Sequence, residues 1–292
     1  MQDLRVKVDR IELQIREYER EGDAIIFLHF GGRNMMIWRP VVPYFQDRYR
    51  LILVDLRGHG KSDKPETGYH IDEMARDVVG VMEHLKIERA HIVGSSLGAE
   101  VGLSIAAHYP DKVISLVCEG ALYSEYGPFG IWEGSEAEFR EYVAGQLEKV
   151  RNTPEPVFPS VDALVDARRQ ALEKYGWWNE NFEAVERYDA CQVGEGKYMH
   201  SWRNPAKKEY LAHYFECRFE DYYRRVNCPL LMLPDEQDLQ SERARAAMKG
   251  LKELSRQGKI VQVSGWVHPY GWLLNSEEMC KTILEFLAEV RS

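Results

Sequence analysis

The sequence predicts an α/β fold built on a mainly parallel sheet, and three observations carry that prediction. Short, unbroken apolar runs recur along the chain, as strands buried on both faces require. Segments with apolar residues at helical spacing lie between several of them, and strands alternating with helices imply parallel pairing through right-handed crossovers. The rhythm breaks once, over a long aromatic stretch with no such run.

Taken in order, the first two segments differ from the rest. Leu4–Val8 and Ile11–Ile15 alternate apolar and polar residues around Asp9-Arg10 and read as an antiparallel hairpin. The buried runs follow: Ala24–Leu28, Leu51–Val54, His91–Val93, Val113–Cys118, Leu230–Leu233 and Ile260–Val263. Ile71, Met74, Val78, Val81, Met82 and Leu85 mark a helix before the third run, Leu97–His108 a helix after it, and Ser276–Val290 a helix that closes the chain. Residues 122–226 hold 20 of the 33 aromatic residues and no buried-strand run. A structureless loop of that length is improbable in a compact domain, so a helical insertion with its own small core is expected there, with a loop over Asn152–Pro159. The expected organisation is a core of residues 1–121 and 227–292 carrying a helical cap of residues 122–226.

Bulk composition excludes several classes. The chain has 292 residues, 45% hydrophobic and 29% charged, with 38 Lys+Arg against 47 Asp+Glu and a formal charge of −9. A net negative chain without a basic run is a poor ligand for nucleic acid or an anionic membrane. The first ten residues carry charges throughout, and no apolar run approaches the roughly 18 residues of a spanning helix, so a cytoplasmic protein is expected. The five cysteines, widely spaced and without a C-x-x-C pair, suggest neither a disulfide framework nor a zinc site. No histidine cluster has ligand spacing, and neither metal nor organic cofactor is expected.

The chemistry is concentrated in His91-Ile-Val-Gly-Ser-Ser-Leu-Gly-Ala-Glu100. A strand ends and a helix begins at Gly94-Ser95-Ser96-Leu97-Gly98, the strand-turn-helix context of a G-x-S-x-G nucleophile elbow. Glycines two before and two after Ser96 let the turn close, and Ser96 is left in a strained conformation with its hydroxyl above the sheet. The motif alone is weak evidence, since a helix N-cap serine in a glycine-rich turn has the same sequence. A small-residue packing face of Gly94, Gly98 and Gly102 is a further alternative, though Ser95, Ser96 and Glu100 rule out its membrane form.

Several motifs together are more specific. Leu28-His-Phe-Gly-Gly32 follows the first buried strand, Asp55-Leu-Arg-Gly-His-Gly-Lys-Ser-Asp63 the second, and Tyr109-Pro-Asp-Lys-Val113 precedes the fourth. With the elbow, they resemble the α/β-hydrolase fold superfamily, in its form with a cap domain, over essentially the whole chain except the detail of the cap. The resemblance implies an α/β-hydrolase fold and a triad in the order Ser, acid, His. Ser96 is then the nucleophile. His268, in Ser264-Gly-Trp-Val-His-Pro-Tyr-Gly271 before the last helix, is the general base. The favoured acid is Asp238 in Pro234-Asp-Glu-Gln-Asp238, with Glu119, directly after the fourth buried run, as the alternative. The oxyanion donors are the backbone N–H groups of Leu97 and Gly31, although Phe30 stands where the family usually has glycine. Phe30, Tyr123, Trp132 and Trp266 are the expected substrate contacts. His70, His84, His91 and His108 read as structural, and Arg57, Gly58, His59 and Gly60 as a structural turn.

These residues imply an acyl-enzyme hydrolase acting on a small apolar or aromatic carboxylic ester. Carbon-carbon, lactone, amide or thioester bonds fit the same triad, and a ligand-binding or signalling protein of the same fold is the alternative from another class. Dehalogenase and epoxide hydrolase relatives carry aspartate where this chain has Ser96. The expected partner is a small-molecule substrate, and a homo-oligomer is compatible with the sequence.

Overall fold

The computed structural model describes residues 1–291. The strands are β1 (Gln2–Val8), β2 (Ile11–Tyr18), β3 (Ala24–Leu28), β4 (Arg50–Val54), β5 (Ala90–Ser95), β6 (Val113–Glu119), β7 (Cys191–Gly194), β8 (Lys197–Met199), β9 (Leu230–Met232) and β10 (Gly258–Ile260). Eight of them form one sheet in the order β1-β2-β4-β3-β5-β6-β9-β10. The β1–β2 and β2–β4 pairs are antiparallel, and every later pair is parallel. This is the α/β-hydrolase architecture that the motifs imply.

Alternation along the inner strands divides the core between two faces. Ile26, Leu28, Ile52, Val54, Ile92 and Leu116 face the helices Ile71–His84 and Leu97–His108. Ile25, Phe27, Leu51, Leu53, Val93 and Val117 face the helix Ser276–Arg291, with Trp38 and Trp272 packed between at 4.7 Å. The helix Leu97–His108 buries every residue but its last, which fixes the elbow at its start against the middle of the sheet.

Three features depart from expectation. The last strand is Gly258–Ile260 rather than Ile260–Val263, because only those residues lie in register with Leu230–Met232. After Val261 donates its N–H to the Met232 carbonyl at 3.0 Å, the chain leaves the sheet towards His268. A helix over Glu242–Leu254 was not expected, yet Ser241 caps it and Ala244, Ala247, Met248 and Leu251 form its buried stripe.

The third departure lies between β6 and β9. Helices Glu136–Asn152, Val161–Glu173, Glu180–Asp189, Asn204–Glu216 and Phe219–Tyr223 are joined by a hairpin of β7 and β8, whose largely exposed residues give no apolar alternation to read. This segment shares part of its buried surface with the sheet core. Leu172, Phe182 and Val185 join the cluster around Trp38, while Phe219 and Tyr223 join the cluster around Leu97. Leu164, Val165 and Met199 are buried within the segment outside both clusters, as is an aromatic group in which Phe139 packs against Tyr126, Trp132 and Phe215.

Candidate active site

The elbow closes because its glycines touch backbone. A Cβ on Gly94 would lie 2.4 Å from the Gly98 carbonyl oxygen, and one on Gly98 would lie 2.0 Å from the Leu28 oxygen. Ser96 sits at φ 48° and ψ −118°, a conformation that L residues rarely adopt. It is held there by its own N–H, which donates to the Glu119 carbonyl at 2.5 Å, and by Gly120, where any Cβ would come within 2.6 Å of Ser96 Cα. Leu97 opens the helix, so its N–H is among those left without an intrahelical acceptor. Gly31 lies alongside, its Cβ position 3.8 Å from the Leu97 side chain.

Glu119, rather than Asp238, meets the histidine. Its Oε1 pairs with Nδ1 of His268, and its Oε2 accepts from the Ser95 hydroxyl and, at 3.1 Å, from Trp272 Nε1. Glu119 is completely buried, whereas the His268 side chain remains 37% exposed. Burial opposes a charge on His268, but the charge and hydrogen bond of Glu119, with Asp238 and Asp235 behind, outweigh it and raise the pKa to about 9.

Asp238 is engaged elsewhere. One oxygen accepts from the Tyr123 hydroxyl at 2.7 Å and the other from the Asp235 N–H at 3.1 Å, closing a capping box over the short helix Glu236–Gln240. Asp235 in turn accepts the His268 backbone N–H at 3.2 Å. Burial pushes the Asp238 pKa up, against the Tyr123 hydrogen bond. The expected pairing of Asp238 with the imidazole is therefore corrected. Glu119 ends β6 and Asp238 follows the neighbouring β9, but the β9 turn spends its carboxylate on capping its own helix.

The loop beside Gly31 is set by two neutral histidines. His29 accepts the Leu56 N–H on Nε2 at 3.0 Å and donates from Nδ1 to the Phe30 carbonyl at 2.9 Å. His59 does the same with the Gly32 N–H at 3.0 Å and the Arg57 carbonyl at 2.9 Å. Burial lowers both pKa values, that of His29 to about 4, so each ring keeps one fixed tautomer. Arg57 forms a buried two-pronged pair with Asp77 at 2.5 and 2.6 Å and bonds the Gly68 carbonyl, which makes it a structural residue.

A cavity of about 380 Å3 opens above Ser96 and His268. Leu122, Ile131 and Phe219 form apolar parts of its wall, and Glu100, Tyr123 and Asp238 are among its polar groups. Tyr123 thus reaches the cavity, but the other three expected contacts do not. Trp132 turns away to pack on Phe139 and Tyr142, leaving its neighbour Ile131 at the wall. Trp266 is 3% exposed and belongs to the core beneath the sheet, where its ring abuts Gly271. Phe30 is also buried, edge-on to Tyr270 behind the Gly31 loop. Missed by sequence reasoning were Ser95 and Trp272 at the Glu119 carboxylate, and Glu100 and Tyr214 in the wall. Glu100 could have been flagged as a carboxylate on an otherwise apolar helix. Burial raises its pKa to about 8, against a Tyr210 hydrogen bond at 2.9 Å. Among the described residues, no group of three or more His, Cys, Asp or Glu side chains could hold a metal ion, and no helix is long and apolar enough to cross a membrane.

Comparison with known proteins agrees with this architecture. The model of the alpha/beta hydrolase fold family matches residues 23–239. A 113-residue segment, 39% of this chain, is 42% identical to 2-(acetamidomethylene)succinate hydrolase from Mesorhizobium japonicum. A segment of 42% of the chain is 33% identical to 3-oxoadipate enol-lactonase 2 from Acinetobacter baylyi. These matches span only 40% and 46% of the two relatives' lengths. Fluoroacetate dehalogenase from Burkholderia sp is 28% identical over 72% of this chain and 70% of its own. Among solved structures, an E-2-(acetamidomethylene)succinate hydrolase superposes over 98% of both chains with a TM-score of 0.77 and 27% identity. The chain belongs to the α/β-hydrolase fold family.

Proposed function

We propose that this chain is a serine hydrolase of small carboxylic esters, with Ser96 as nucleophile, His268 as general base, Glu119 as the acid and an acyl-enzyme intermediate. The observation that carries this is the pairing of His268 Nδ1 with the buried Glu119 beside the strained Ser96 elbow. With Nδ1 committed to Glu119, the other ring nitrogen is the one to take the Ser96 proton as the oxygen attacks the ester carbonyl. The tetrahedral oxyanion is stabilised by the N–H groups of Leu97 and Gly31. Its collapse returns the proton to the leaving alcohol, and water then enters through the same base to release the acid.

A neutral imidazole is needed for the first step. The pKa of His268 near 9 therefore places the rise of kcat/KM on the alkaline side of neutrality. The family's aspartate-nucleophile chemistry does not carry over from the dehalogenase relative, because Ser96 occupies the elbow. The segment over residues 122–226 acts as a cap, supported by Tyr214 and Phe219 in the cavity wall and by Trp202 stacked on His59 at 3.9 Å. A cavity of about 380 Å3 suits a small acyl group, and Asp238 with Tyr123 forms a polar contact for the substrate. A ring ester is a second substrate form, favoured by the match to an enol-lactonase.

Stopped-flow hydrolysis of p-nitrophenyl acetate and butyrate tests the proposal. A p-nitrophenol burst of about one equivalent per enzyme is expected wherever deacylation limits, with turnover of either ester abolished in Ser96→Ala. Turnover that persists in a folded Ser96→Ala protein would exclude the serine mechanism.

A further inference from the structure

We propose that Ser95 and Trp272 are positioning residues that aim the Glu119 carboxylate at His268; this rests on Glu119 being the acid of the proposed hydrolase. Ser95 ends β5 and Glu119 ends β6, and the two stand opposite each other in the parallel register. The same pairing lets the Glu119 carbonyl take the Ser96 N–H at 2.5 Å. Glu119 is thus tied to the nucleophile by its main chain and to the base by its side chain.

Those two ties leave one carboxylate oxygen to be fixed. A glutamate has one more rotatable bond than aspartate, and its carboxylate can swing about the Oε1 contact unless Oε2 is also held. Ser95 and Trp272 hold it, from opposite directions in the chain. Ser95 is completely buried and donates its hydroxyl to Oε2, while Trp272, equally buried, donates its indole N–H to the same oxygen at 3.1 Å. Both donors are neutral, so the carboxylate keeps its charge for the imidazolium that forms during proton transfer. Trp272 also packs at a tilt against Trp38 in the core, which gives the donor a rigid base.

Removing a donor should have two effects. The carboxylate loosens, so His268 is less well aimed and kcat falls. Its charge is also less shared with donors, so it holds the His268 proton more tightly and the acid limb of the pH profile moves up. Loss of packing alone would lower the amount of folded enzyme but would not move the limb.

The test compares Ser95→Ala, Ser95→Thr and Trp272→Phe with the wild-type enzyme on p-nitrophenyl butyrate from pH 6 to 10, with active sites counted by fluorophosphonate titration. Ser95→Ala should lower kcat about tenfold with KM changed less than about twofold, and should raise the acid limb by about half a pH unit. Ser95→Thr keeps the hydroxyl and should recover most of both. Trp272→Phe keeps an aromatic ring in the core but removes the N–H, and should move kcat and limb in the same directions as Ser95→Ala. Unchanged kcat and limb in both Ser95→Ala and Trp272→Phe would overturn the inference. Glu119→Gln serves as the control: if it abolishes activity while those two variants do nothing, only the positioning role falls. If it too leaves kcat intact, Glu119 is not the acid and the proposed mechanism falls with it.

Discussion

Glu119→Gln is the substitution that best separates the two candidate acids. In the wild-type enzyme burial opposes charge on His268, yet Glu119 and the more distant Asp238 and Asp235 raise its pKa from 6.5 to about 9. That climb corresponds to about 2 kcal/mol in favour of imidazolium, after discounting for the solvent that reaches the part-exposed ring. Glutamine removes the charge, and its amide can present an N–H to Nδ1, which favours the tautomer that cannot accept the serine proton. The combined loss in kcat should be roughly 1,000- to 10,000-fold. The acid limb should also fall from near pH 9 to pH 6.5 or below, because burial then acts with little opposition. Steady-state kinetics on p-nitrophenyl butyrate from pH 5 to 10 give both quantities from one data set. Asp238→Asn, which disturbs a helix cap and the Tyr123 contact, should cost less than about tenfold in kcat. The reverse ranking, with Asp238→Asn the crippling change and Glu119→Gln mild, would refute the assignment of the acid.

Three further outcomes follow from the same geometry. Glu100 has a folded pKa of about 8 against an ordinary 4.5, so its neutral form is favoured on folding and stability should fall as pH rises between those values. Glu100→Gln should remove that slope and raise Tm by about 5 °C at pH 8 but little at pH 5, as read by calorimetry. Gly98→Ala should abolish soluble folding or cost about 3 kcal/mol or more in urea denaturation, because the new methyl meets the Leu28 backbone at 2.0 Å. Asp77→Asn should cost about 3 kcal/mol by leaving Arg57 buried without its partner, while kcat/KM per active site stays within about threefold; a large loss of kcat/KM at full folding would place Arg57 in the chemistry.

The inner sheet is legible in the sequence because its strands are covered on both faces, which leaves Ala24–Leu28 or Val113–Cys118 as unbroken apolar runs. The helix Leu97–His108 is legible for a related reason, as an apolar segment following a glycine-bracketed turn. The exposed hairpin of β7 and β8 carries no such record. In the site, Ser96 and His268 stand out through local context. The proposed acid does not, because Glu119 ends one parallel strand and Asp238 follows its neighbour, and the choice depends on how the His268 ring turns across a separation of 149 residues. Nor could aromatic richness tell Tyr123, which lines the cavity, from Trp132 and Trp266, which fill packing sites. The small clue was in the turn itself: Asp235 and Asp238 sit at capping-box spacing, which commits both to the helix they open.

The central claim is that Ser96 is a covalent nucleophile activated by His268, and mass spectrometry of the protein treated with a fluorophosphonate tests it most directly. One phosphonyl group per chain is expected, located on Ser96 in the peptide spanning the elbow, formed more slowly in Glu119→Gln and absent in Ser96→Ala. A folded protein that takes up no label, or takes it up equally after Ser96→Ala, would contradict the claim.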